Sequence, residues 1–248
     1  MKDTSLSRIG GLSGFAIAIL SIVYAVAYLF ITPAAQRGGD LTVFYTSFAA
    51  DPTGRQLANL CFVISGILGP FVVVGVCERL RGLSEGWARW ALVMGTLAIV
   101  ATGLHGFYNL IVTPIQAGLY NSGDAATRAA IAVARSAPLP IDPVEFFTFG
   151  VTGLWALVVG LLILRGTDSS TSPGQSLPRW LGYVALVAGI DMLALFFADV
   201  AGAGTLILLT GGLASLILGP AMWAGFGRVL LRDAGAAAPI PAMSTRGT

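Results

Sequence analysis

The chain of 248 residues is 56% hydrophobic and only 10% charged. Soluble domains carry about a quarter charged residues, so this composition excludes an ordinary water-soluble fold and makes the lipid bilayer the first partner. A formal net charge of +2, with no Lys/Arg cluster interleaved with aromatics, gives no footing for nucleic acid.

A helix needs about 20 apolar residues to cross a bilayer. Six segments qualify, at 9–32, 57–77, 89–113, 146–164, 180–199 and 205–227. They predict an all-α, polytopic bundle, one transmembrane domain over 1–232 with a disordered cytoplasmic tail over 233–248. The first segment follows Lys2 and Arg8 as a signal core would, but its apolar run exceeds the about 7–15 residues of such a core, so it reads as a retained anchor. The N-terminus, the second and fourth loops and the tail hold ten Lys/Arg residues, and the other side holds only Arg37, Arg55, Arg128 and Arg135. That alternation predicts both termini in the cytoplasm of a bacterial inner (plasma) membrane, and Trp87, Trp90 and Trp180 fall at the same interface.

Loop one places Asp40 before an aromatic run, as an N-cap stands before a short helix. In the second span Cys61 and Cys77 lie sixteen residues apart, roughly 24 Å on one helix, so they cannot pair with each other. "SGILGPFVVVG" (65–75) is echoed in the sixth span by "SLILGPAMWAG" (215–225). Pro70 and Pro220 each deny a donor to the carbonyl four residues earlier, which predicts a bend at each, with Gly69 and Gly219 in close interhelical contact. Small residues at every fourth position (Cys61, Ser65, Gly69; Gly211, Ser215, Gly219; Gly10, Gly14) predict close helix packing.

The third span, "TLAIVATGLHGFYNLIV", carries His105, the single histidine of the chain. Thr102, His105 and Asn109 share a helix face, Tyr108 adjoins them, and Glu145, Thr148 and Thr152 share another. Asp191 in the fifth span lies at the same expected depth as His105. An isolated intramembrane carboxylate costs about 2.5–3.5 kcal/mol on insertion scales, so the two are expected to pair and, with Tyr108, Glu145 and Thr148, to line an outward-opening polar pocket. The alternative is that His105 fastens the bundle by bonding a backbone carbonyl. One histidine without a Cys or carboxylate four residues away makes no metal set and no bis-histidine haem site, although it suffices for a single pigment or haem ligand. In loop three, Asp124 precedes an alanine-rich stretch too polar to span, closed by the prolines at 138, 140 and 143. The fourth loop, "GTDSSTSPGQSLP", reads as a flexible linker.

"GLWALVVGLLILRG", "LPRWLGYVALVAGIDMLALFF", "GPAMWAGFGRVLL" and the opening "RIGGLSGFAIAIL" resemble a bacterial family of multi-spanning membrane proteins known as domain of unknown function 4386. The resembling positions are Trp155, Gly160, Leu177, Pro178, Arg179, Gly182 and Asp191. The resemblance lies mainly in the last hundred residues and implies the architecture without a reaction.

No nucleophile, phosphate-binding or zinc motif stands in a suitable context. Three readings follow. The leading one is an integral membrane protein without evident catalytic machinery, either an accessory or assembly subunit of a membrane complex or homo-oligomer, or a binder of a small amphipathic ligand. The second is a small secondary transporter, and the third an intramembrane enzyme using Asp191 as acid or base.

Overall fold

The structure, a computed structural model, describes residues 4–37, 40–136, 142, 145–168 and 177–236. The prolines at 138, 140 and 143, the linker residues 169–176 and the tail from 237 lie outside the described residues. Helix α1 (Thr4–Val26) continues into a π-helical segment, Ala27–Ile31, and is followed by α2 (Leu41–Ala50), α3 (Thr53–Leu80), α4 (Glu85–Ser122) and α5 (Ala125–Ser136). A second π segment, Phe146–Val151, leads into α6 (Thr152–Asp168), then come α7 (Arg179–Val200) and α8 (Gly204–Leu213). A third, Ala214–Leu218, joins α8 to α9 (Gly219–Ala236), so the first four residues assigned to the tail are helical.

Among the described residues six stretches are long and apolar enough to cross a membrane: Ser5–Ile31, Thr53–Leu80, Glu85–Ser122, Phe146–Gly166, Arg179–Val200 and Gly204–Arg232. They coincide with the expected six and overrun most of them by a few residues. Large apolar side chains such as Phe30, Ile67 and Leu209 face outward, as lipid contact requires.

The largest departure is α4. Its 38 residues extend about 57 Å, against a hydrocarbon layer about 30 Å thick. Hydropathy falls at Thr113, yet the helix runs on through Pro114. The proline cannot supply an N–H to the Leu110 carbonyl, and Gln56 Nε2 on α3 donates to that oxygen instead, at 3.4 Å. Beyond this point α2, α5 and the end of α4 form a small separate core from Phe44, Tyr45, Phe48, Tyr120 and Ile131. Tyr45 Oη donates to Gln116 Oε1 at 3.0 Å, tying α2 to α4.

Asp40 caps α2 as expected, accepting from the N–H groups of Thr42 and Val43, and Asp124 stands before α5 in the same way, accepting from that of Thr127. The Val43 and Thr42 N–H groups hold the Asp40 carboxyl below its ordinary value, and that of Thr127 does the same for Asp124. Their contribution to stability is therefore present above the ordinary carboxylate range and is lost as pH falls through the lowered values.

The spans meet backbone to backbone. A Cβ built on Gly66 of α3 would collide with Gly103 Cα of α4, and one on Gly69 with Ile99. On Gly14 of α1 it would lie 2.8 Å from Gly227 Cα of α9, and on Gly189 of α7 it would lie 2.8 Å from the Gly153 carbonyl of α6. Gly219 differs from expectation, because its nearest neighbour on another helix, Ser21 Oγ, is 3.8 Å away, an ordinary contact. The two proline sites also differ. Around Pro220 the helix is irregular, with the π segment ending two residues earlier, whereas α3 is continuous through Pro70. Even so, the echo between these helices is one of packing: Gly69–Leu80 and Gly219–Leu230 repeat the same order of buried, half-buried and exposed positions, residue for residue. Among the helices, Trp155 and Trp223 stack with ring centres 5.7 Å apart, and Phe226 meets Trp155 edge-on. This packing fills the half of the bundle that ends in Arg79, Arg165 and Arg228.

Gly66→Val puts side-chain volume where two backbones meet and should lower stability by about 1–3 kcal/mol, the usual range for overpacking. Gly118→Ala, a helical site with nothing within 4 Å of the added carbon, should raise it by about 0.4–1 kcal/mol. Thermal melting in detergent compares the two; equal effects would contradict the close-contact frame.

Candidate functional site

In the other half the helices part around a cavity of about 280 Å³. Tyr24 and Tyr28 come from α1 and its π segment, Arg55, Asn59 and Phe62 from α3, His105 from α4, and Asp199 from the end of α7. A second cavity, of about 90 Å³, lies against it and shares Tyr24, Phe62, Phe149 and Ser215 as walls. This inner chamber is lined by Ile17, Leu20, Met192 and Trp223, with hydroxyls of Ser65, Thr102, Thr148 and Thr152. Each of the three π segments contributes to these walls, through Tyr28, Phe149 and Ser215. A π turn widens a helix by one residue and redirects the side chains that follow, and such turns are frequent at functional sites.

Glu145 has φ 53° and ψ 34°, a left-handed conformation, and no other non-glycine among the described residues has positive φ. That conformation is rare for a side chain this large and persists only where the surroundings impose it. Asp142 imposes it here. Its carbonyl accepts from Glu145 N–H at 3.1 Å, and its carboxylate accepts from the N–H groups of Phe147 at 2.6 Å and Thr148 at 2.8 Å. Asp142 is 1% exposed and was not singled out from the sequence. The available signal was an aspartate before Pro143 and ahead of an apolar run, which is the pattern of a cap.

His105 does not pair with Asp191. Its Nε2 is 2.8 Å from Asn109 Nδ2 and 4.0 Å from Glu145 Oε1. Nε2 thus accepts from the amide, which puts the ring proton on Nδ1, an atom that is buried without a partner. The nearby carboxylate is not hydrogen-bonded to the ring. A single pigment ligand would have to displace Asn109 or reach the buried Nδ1. Asp191 is itself buried with Oδ2 unpartnered, and it lines neither chamber. Equal depth did not imply a shared face, because depth says nothing about rotation of a helix about its axis.

The remaining expected residues divide. Thr148 Oγ1 lies 3.1 Å from Thr102 Oγ1, and both line the inner chamber; Tyr108 and Asn109 line neither chamber. Tyr24, Tyr28, Arg55, Asn59 and Asp199 line the outer chamber but were not expected there. Asn59 had a signal, being an amide within an apolar run; it is 6% exposed and its Nδ2 has no partner. Among the described residues no three His, Cys, Asp or Glu side chains converge as a metal set.

Residues 11–223 match the family described as Domain of unknown function (DUF4386), and the chain belongs to it. The match runs through the middle of the chain, His105 included, and so extends well beyond the last hundred residues. No curated protein and no solved structure matches this chain.

A double-mutant cycle on thermal stability separates the two carboxylates. His105→Leu with Glu145→Leu should depart from additivity by about 0.5–3 kcal/mol, as contacting residues do, whereas His105→Leu with Asp191→Leu, which share no hydrogen-bond partner, should add within about 0.5 kcal/mol. The opposite ranking would restore the Asp191 pairing.

Proposed function

We propose that this protein is a multi-pass protein of a bacterial inner membrane that binds a small amphipathic molecule in the two adjoining chambers. The observation that carries this reading is their division of labour: an outer chamber lined by charged side chains lies against a mainly apolar inner one, with Tyr24, Phe62, Phe149 and Ser215 as shared walls. Ligand sites are concave, largely apolar and fitted with a few placed polar groups. The unpartnered Asn59 amide and the clamped Glu145 are such groups. The ten-to-four split of basic residues turns the chambers to the outer face, with both termini inside. Binding is favoured over transport because the Trp155–Trp223–Phe226 packing fills the bundle beyond the inner chamber. An accessory role in a complex is compatible with such binding and adds no residue to the site.

Ser215→Trp fills the wall shared by both chambers. Native mass spectrometry of gently purified protein should show one amphiphile per chain, lost in that variant while its melting temperature stays close to the wild-type value. An empty wild-type protein, or equal occupancy in the folded variant, would refute the reading.

A further inference from the structure

Charges of both signs line the outer chamber without meeting one another. Arg37 donates from Nη1 to the Leu29 carbonyl at 3.0 Å. Arg55 donates to the Gln36 carbonyl at 3.4 Å and lies over the rings of Tyr28 and Phe44. Arg135, on α5 at the mouth, lies 4.1 Å from the centre of the Phe44 ring. Among the described residues none of these three guanidiniums comes within 4.0 Å of a carboxylate. Glu145 and Asp199 line the same chamber. The basic side chain within 4.0 Å of Glu145 is His105, whose ring carries no charge while it accepts from Asn109.

The fold holds these charges apart. Aromatic rings and backbone carbonyls position the arginines, and the Asp142 clamp fixes Glu145 in its left-handed conformation. A charge in a cleft between membrane helices is costly unless compensated. A ligand of one sign would satisfy one set of charges and be repelled by the other. Asn59 lines the same cavity and is nine-tenths buried with its Nδ2 unpartnered, so the chamber also carries a neutral amide.

The geometry points to a zwitterionic headgroup: an anionic phosphate or carboxylate set against Arg37, Arg55 and Arg135, an ammonium set against Glu145 and Asp199, and a single acyl or alkyl chain in the inner chamber. This assignment rests on the two-chamber reading above and narrows its ligand class. Bidentate contacts from guanidinium suit phosphate and carboxylate alike, so the anionic half is defined by charge and planar donors, and the cationic half by the two acids.

The test uses the full chain in an alkyl maltoside, with four probes of matched chain length competing in native mass spectrometry. The probes are lysophosphatidylethanolamine (both charges), lysophosphatidylglycerol (anion only), an alkylamine (cation only) and a monoacylglycerol (neutral). The zwitterion should bind about tenfold more tightly than any of the other three. Arg55→Gln should abolish its advantage over the alkylamine, and Glu145→Gln its advantage over lysophosphatidylglycerol. The ranking on the unaltered protein carries the test even if a variant fails to fold. Equal binding of all four probes, or preference for a singly charged one, overturns the headgroup assignment and leaves the amphiphile site standing. Binding of none, the neutral probe included, overturns the site itself.

Discussion

Contact between helix backbones at glycine is the constraint on which the rest of this structure depends. Inside a bilayer, lipid tails are as apolar as leucine, so helices gain little from burying apolar side chains against each other and must gain from close packing. Gly66 with Gly103, Gly14 with Gly227, and Gly153 with Gly189 give three helix pairs that approach so closely that a single added carbon would collide or be crowded. Gly153 and Gly227 belong to the helices that bear Trp155, Trp223 and Phe226, and these rings form one dense core. The Gly66–Gly103 contact instead sits next to Ser65 and Thr102 and backs the inner chamber.

The cavities lie where the regular ridges stop. Ala27–Ile31, Phe146–Val151 and Ala214–Leu218 all break the α pattern at the edge of the chambers. Thr32 closes the first of these through both its N–H and its hydroxyl, each 2.8 Å from the Ala27 carbonyl. Asp142 opens the second, and Pro220 follows shortly after the third. The polar residues that a bilayer disfavours are gathered at these breaks, where a carboxylate, an imidazole and an amide can face a common space instead of lipid. The arrangement joins a rigid support to a site that tolerates strain at Glu145.

The spans were readable because the bilayer filters composition: about twenty apolar residues have few alternatives to crossing it. The Asp40 cap was readable because capping is local chemistry. The end of α4 was not, since residues 114–122 owe their helix to contacts with α2, α5 and Gln56 that lie far away in sequence. The π segments carry no side-chain signature, and with them the walls of the chambers were hidden. His105 stands out in the sequence as an ionisable ring in an apolar span, but its surroundings do not, because hydropathy gives depth and whether Glu145 or Asp191 lies near the ring turns on which way each helix faces. Among the residues of the expected pocket, His105, Glu145, Thr102 and Thr148 do line the chambers, which is the part that helical periodicity could supply.

The family to which residues 11–223 belong is described as a domain of unknown function, so the account stands on a physical division: one half filled by the Trp155, Trp223 and Phe226 core, the other open as a chamber. The chain's own two cysteines test it most directly. Cys61 lines the inner chamber, whereas Cys77 sits in the filled core. On folded protein in nanodiscs treated with a small maleimide, peptide mass spectrometry should find Cys61 modified well ahead of Cys77, and a saturating single-chain amphiphile should slow the reaction at Cys61 alone. Equal rates at the two thiols, or faster reaction at Cys77, would contradict the division and the site built on it.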